Sequence, residues 1–81
     1  MNKVKYIRTN HNEIIIFGEI MNHSDFSRFN PISAGFIEFG LGKEGNLTCS
    51  CYGESISLNM KSNPEEDTFI AKRQLGMLDW Y

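Results

Sequence analysis

Asn30-Pro31-Ile32-Ser33-Ala34-Gly35-Phe36-Ile37-Glu38-Phe39-Gly40-Leu41, then Gly42-Lys43-Glu44-Gly45-Asn46, then Leu47-Thr48-Cys49-Ser50-Cys51-Tyr52, is the stretch that decides the fold. Ile37, Phe39 and Leu41 alternate with Glu38 and Gly40, the period of two expected of a strand with two unlike faces. The polar, glycine-bearing link has hairpin length. The return segment repeats the alternation, with Leu47, Cys49 and Cys51 expected inward and Thr48, Ser50 and Tyr52 outward. The two runs therefore predict an antiparallel pair over Ile32–Leu41 and Leu47–Tyr52.

Beyond Cys51 the parity changes. Apolar side chains stand at odd positions up to that point and at even ones afterwards: Ile56, Leu58 and Met60. A period of two changes parity only through an inserted residue, a bend or a turn. Gly53-Glu54-Ser55 marks the place, and glycine is the residue expected at a bulge or corner. Two readings stay open there: a bulge that lines a pocket, or a plain bend that joins two strands.

Downstream, Ser62-Asn63-Pro64-Glu65-Glu66-Asp67 predicts a helix start. Asn63 stands at the N-cap, Pro64 at the first helical position, and Glu66 where a capping box needs its acid. Acids in the first turn and Lys72 and Arg73 in the last suit the helix dipole, and Gly76 closes the helix near Leu75. The tail Met77-Leu78-Asp79-Trp80-Tyr81 is apolar enough to pack on the sheet or to meet another chain. Upstream, Val4–Thr9 reads as a strand, and Asn10-His11-Asn12 as a turn. Glu13–Phe17 reads as a β-branched run of the kind expected of a central strand covered on both sides. His23–Phe29 reads as a helical turn with Ser24 as its cap, ended by Pro31. The expected architecture is a single α+β domain over residues 1–81. It has a mainly antiparallel sheet of about five strands, a short helical turn and one C-terminal helix.

With 81 residues, such a chain buries only about 60% of its unfolded surface. A homo-oligomer, dimer or larger, is therefore an expected source of further buried area. Eight basic and ten acidic residues give a net charge of -2 and no basic stripe of the kind a nucleic-acid binder carries. Lys3, Lys5 and Arg8 read as a solvated strand face. No apolar run approaches the ~20 residues of a membrane span, and the N-terminus lacks a signal-peptide pattern. The expectation is a cytosolic protein without nucleic-acid or membrane partners. Cys49 and Cys51 read as small buried hydrophobes, and with His11 and His23 they have the wrong spacing for a zinc finger or ribbon. No metal or cofactor is expected.

His23, Ser24 and Asp25 are adjacent, which argues against a triad, because nucleophile, base and orienter converge from separate points of a fold. Catalysis by Glu54 or His23 remains a third, hydrolase reading. The short polar residues of the organising stretch suit hydrogen bonding to a polar small molecule better than bond making. Arg28 is the candidate for a phosphate, and Tyr52, Phe36 or Trp80 for stacking on a base. Asn30, Ser33, Glu54, Ser55 and Ser57 are the candidate hydrogen-bonding groups. An exposed sheet face rich in serine is the plainer reading of the same set.

Phe17 through His23-Ser24-Asp25-Phe26, the Asn30–Phe36 segment, and Cys51–Leu58 with Ser62–Asp67 together resemble small proteins encoded by phages and prophages, over about residues 13 to 75. That resemblance implies a compact, oligomeric, non-enzymatic protein acting against bacterial defence. Its expected role is a sponge for a nucleotide-derived immune signal, such as the ADP-ribose derivatives of Thoeris-type systems. The alternative expectation is a protein-directed inhibitor that binds a host protein through a sheet edge or the apolar C-terminal tail.

Overall fold

A computed structural model of the protein describes residues 3–77. Strands β1 (Lys3–Thr9), β2 (Ile14–Phe17), β3 (Pro31–Leu41) and β4 (Leu47–Tyr52) form one antiparallel sheet in the order β2-β1-β3-β4. A 3-10 segment, His23–Phe29, connects β2 to β3. A two-residue ribbon, β5 (Glu54–Ser55) with β6 (Met60–Lys61), follows β4, and helix α1 (Pro64–Gln74) ends the described fold. The class is α+β. Among the described residues no helix is long and apolar enough to cross a membrane.

The alternation of β3 and β4 sets their register: Ile37 lies opposite Cys51, Phe39 opposite Cys49 and Leu41 opposite Leu47. Cys49 and Cys51 are buried, whereas Leu41 and Leu47, at the hairpin tip, are exposed. Helix α1 covers this face. Ile70 and Ala71 meet Tyr6, Ile14, Ile37, Cys49 and Cys51 in one apolar cluster, with Met77 against its margin. Leu78, Trp80 and Tyr81, the rest of the apolar tail, lie outside the described residues. The opposite face carries Ile7, Phe17 and Ala34 beneath Phe26 of the 3-10 segment and Leu58 and Met60 of the ribbon.

The Glu13–Phe17 run forms β2 (Ile14–Phe17), an edge strand and not the central strand expected. An unbroken apolar run reports that both faces are covered, and they are: Ile14 and Ile16 lie toward the α1 cluster, Ile15 and Phe17 toward the other. Such a run does not report how many neighbours the backbone has. The free edge at Ile14 is closed instead by a side chain. The Gln74 amide donates to the Ile14 carbonyl and accepts from its N–H, each at 2.8 Å.

The alternating segment Ile56–Met60, expected to continue as the fifth strand, is a turn over Ile56–Asn59, and only Met60 enters a strand. Gly53 takes φ 82°, a left-handed value natural to glycine, and the chain leaves the sheet. It turns through Ile56–Asn59 and returns as β6. Ile56 is 90% exposed. Three alternating residues are too few to separate a strand from a turn. Gly35 makes the crossing possible, since a Cβ there would clash with the Tyr52 carbonyl and crowd Ser62.

Capping also differs in detail. Asn63 makes no side-chain cap, and its backbone N–H donates to Asp67 at 2.9 Å, one residue beyond the Glu66 expected to close the box. The 3-10 segment is capped at Asn22 rather than Ser24, with the Asn22 N–H donating to Asp25 at 3.0 Å. The C-terminus of α1 ends as expected: Gly76 at φ 73°, with Met77 N–H on the Lys72 carbonyl and Gly76 N–H on that of Arg73, the paired bonds of a glycine-terminated helix.

Candidate functional site

Two polar constellations flank the sheet, one on each face. The first is closed. Asp67 on α1 is fully buried. Its Oδ1 accepts from Arg8 at 2.9 Å and Ser33 Oγ at 2.8 Å; its Oδ2 accepts from the Tyr6 hydroxyl and, at 2.9 Å, from the Asn63 N–H. Arg8 also donates to Glu66 at 2.7 Å and to Asn12 at 3.2 Å. Burial and then the Asp67 carboxylate push the Tyr6 hydroxyl far above the ordinary tyrosine range. Burial alone would lower the Arg8 guanidinium, but its bonds to Asp67 and Glu66 outweigh that and raise it. A buried carboxylate persists when it is paired and hydrogen-bonded, and here its donors come from β1 (Tyr6 and Arg8), β3 (Ser33) and the residue before α1 (Asn63). The cluster clamps the start of α1 onto β1 and β3.

The second constellation is open. One transverse row of the sheet places Phe17, Lys5, Phe36 and Tyr52 side by side across β2, β1, β3 and β4. Neighbours in such a row share a face and stand about 5 Å apart. The covering elements reach only part of the row. The 3-10 segment packs on the Phe17 end, where the Phe17 and Phe26 rings stack at 4.0 Å. The Tyr52 end floors a cleft of about 610 Å³. Asn22 and His23 form one wall, Glu54 and Ser57 the other, and Lys3 and Lys5 extend along the floor. The Ser24 N–H donates to Ser57 Oγ at 3.2 Å and ties the walls together.

Two lysines and one carboxylate, Glu54, bring formal charge to the cleft. Lys5 Nζ donates to the Met21 carbonyl at 2.8 Å. Lys3 Nζ lies 4.7 Å from the centroid of the Phe36 ring, a cation–π contact. His23 is buried, with Nε2 at 2.8 Å from the Gly35 carbonyl. Because the carbonyl only accepts, Nε2 carries the proton. Burial, with the nearby Lys5 charge, pulls the imidazole below its ordinary value, against a smaller upward effect of that hydrogen bond. His23 is therefore a neutral donor at neutral pH. Its ring meets Phe17 and Phe36 edge-on, at 5.3 and 6.0 Å.

Of the residues singled out in the sequence, Tyr52, Glu54 and Ser57 line this cleft, together with Phe36. Ser55 stands behind the wall, buried, with its Oγ accepting from the Leu58 N–H at 3.2 Å. Ser33 is on the other face, held by Asp67. Arg28 and Asn30 belong to a separate hollow of about 370 Å³ beside His11 and Glu13. There Arg28 lies over the Phe29 ring at 5.0 Å, and the Asn30 carbonyl accepts from the Asn10 N–H. Asp25 is engaged at the Asn22 N–H, and Cys49 and Cys51 are free thiols beneath α1. Burial pushes the Cys51 thiol up to about 12, a value at which it carries little thiolate.

Lys3, Lys5 and Asn22 were not among the candidates, and His23 was one only for catalysis. The alternation of β1 does put Lys3 and Lys5 on one face, but only the register of β1 on β3 places that face beside Phe36. Compared with protein-family models, curated proteins and solved structures, the chain matches none.

Proposed function

We propose that the protein binds an anionic, ring-bearing small molecule of the nucleotide type in the Lys3–Lys5–Phe36–Tyr52 cleft and holds it without turnover. The observation that carries this reading is the pairing, on one patch of sheet, of two ammonium groups with two adjacent aromatic rings. Phe36 and Tyr52 lie 6.1 Å apart at 35° and offer a platform for a base. Lys3 and Lys5 offer charge to a phosphate, while Glu54, Ser57 and Asn22 offer hydrogen bonds to ribose hydroxyls. The volume is in the range of small-molecule sites. The imidazole in the wall holds its proton against Gly35, a positioning role rather than that of a base. Resemblance to phage-encoded proteins supplies the setting: an oligomeric sponge that sequesters an immune signal such as an ADP-ribose derivative.

Native mass spectrometry on protein from cells with an active nucleotide-signalling defence, with calorimetric titration of ADP-ribose and ADP, tests the reading. A non-covalent mass of several hundred daltons, released intact, is expected. Absence of both bound mass and titration heat overturns it.

One observation favours a second reading, a protein-directed inhibitor. On the β4 edge Thr68 Oγ1 accepts the Cys51 N–H at 2.9 Å. By the alternation of an antiparallel ladder, Leu47 and Cys49 then point their backbone groups outward. Leu41 and Leu47 beside them are 68% and 53% exposed. A partner strand added there would bury both leucines.

A further inference from the structure

We infer that Lys3 is the specificity-determining residue of the cleft, selecting phosphorylated over neutral ring-bearing ligands by exchanging the Phe36 ring face for a phosphate. The inference rests on the reading of the cleft as a nucleotide-type site. Its starting point is that the side chain that would best hold a phosphate lies on the ring that would best hold a base. Lys3 Nζ sits 4.7 Å from the Phe36 centroid.

The ring itself is fixed. His23 meets it edge-on at 6.0 Å, and Gly53 backs so closely on its Cδ2–Cε2 side that a Cβ would come within 3.0 Å of Cδ2. Lys3 is the exposed, long-stemmed element of the contact. A base that stacks on this face of Phe36 must lift the ammonium off it. Lys5 differs, because its ammonium is anchored on the Met21 carbonyl.

The exchange has unequal consequences for two kinds of ligand. A neutral nucleoside gains the ring but takes a cation from its partner and gives nothing back. A phosphorylated ligand gains the ring and offers the displaced ammonium a charged acceptor beside Lys5. The first ligand binds against Lys3, the second with it. Ligand charge is thereby read by a residue that competes with the base.

Removing the charge while keeping the stem, in Lys3→Met, separates the two roles. Calorimetric titration of the wild type and the variant with adenosine and with ADP is the experiment. Adenosine is expected to bind ~3-fold more tightly to the variant, the scale of an exposed cation–π contact no longer opposing it. ADP is expected to bind roughly tenfold more weakly, the scale of one lost charge-assisted bond. The preference for ADP over adenosine therefore falls about thirtyfold. If Lys3→Met weakens both ligands equally, or leaves both unchanged, the exchange is refuted while the cleft stands. If neither ligand binds the wild type, the reading of the cleft fails and the inference with it. Proton NMR of the unliganded protein gives a ligand-independent check. The Lys3 Hε resonances are expected upfield from the Phe36 ring current and restored in Phe36→Leu; no upfield shift in the wild type refutes the contact itself.

Discussion

The two faces of the sheet use the same ingredients to opposite ends. Beneath α1, an arginine, a tyrosine, a serine and a carboxylate converge until every polar group is engaged, and Asp67 sees no solvent. On the other face two lysines, two aromatic rings, a serine and a carboxylate line an open hollow, and only part of their bonding capacity is used internally. The difference lies in cover. Eleven residues of α1 reach across the sheet, whereas the 3-10 segment and the ribbon leave Phe36 and Tyr52 between them. Closed polar groups hold a fold together, and open ones of the same chemistry are available to a ligand.

The largest effect is expected from breaking the closed side. Asp67→Ala leaves the buried Tyr6 and Ser33 hydroxyls without their acceptor and Arg8 with only Glu66 and Asn12, a loss on the order of 3–5 kcal/mol. That is comparable to the whole stability of a small domain, so urea titration should find the variant largely unfolded. An unfolding midpoint within experimental error of the wild type would show that the cluster does not clamp α1.

The open side should respond in the opposite way. Lys5→Met keeps the apolar stem and removes the charge. It should change stability by less than about 0.5 kcal/mol, yet weaken ADP binding roughly tenfold. A variant that loses stability but not affinity would place Lys5 with the clamp rather than with the ligand.

The smallest effect sharpens the contrast through pH. The imidazole of His23 titrates below the ordinary 6.5 in the folded protein because burial disfavours its charged form. Well above 6.5 it is neutral both folded and unfolded, and stability is at its full value. As the pH falls through 6.5 the unfolded chain takes up the proton first, so stability declines until the lower folded value is passed. His23→Gln should remove this part of the acid slope. An unchanged slope would show that His23 is not held neutral by the fold.

What the sequence made legible was local. The β3–β4 pairing follows from two alternations joined by a short loop, and the end of α1 follows from Gly76. The parity change at Gly53 was visible, but its outcome was not, because Ile56–Met60 alternates in either a strand or a turn. The isoleucine run of β2 announced two covered faces and was silent on pairing. The clamp was hidden by distance: Ser33 and Asp67 are 34 residues apart and nothing in either segment points to the other. The cleft was hidden for the same reason. Lys5 comes beside Phe36, and Phe36 beside Tyr52, only through cross-strand register, so two lysines on an acidic chain passed for a solvated face.

At high concentration a small sheet protein is threatened by its own strands, because a bare edge is a template on which another molecule's strand can grow. Gln74 offers Ile14 one donor and one acceptor at peptide spacing, as a neighbouring strand would. A side-chain amide, however, has no next residue from which a further ladder can extend. It closes the β2 edge at Ile14, and a chain that lost it would bare this edge as well as that of β4.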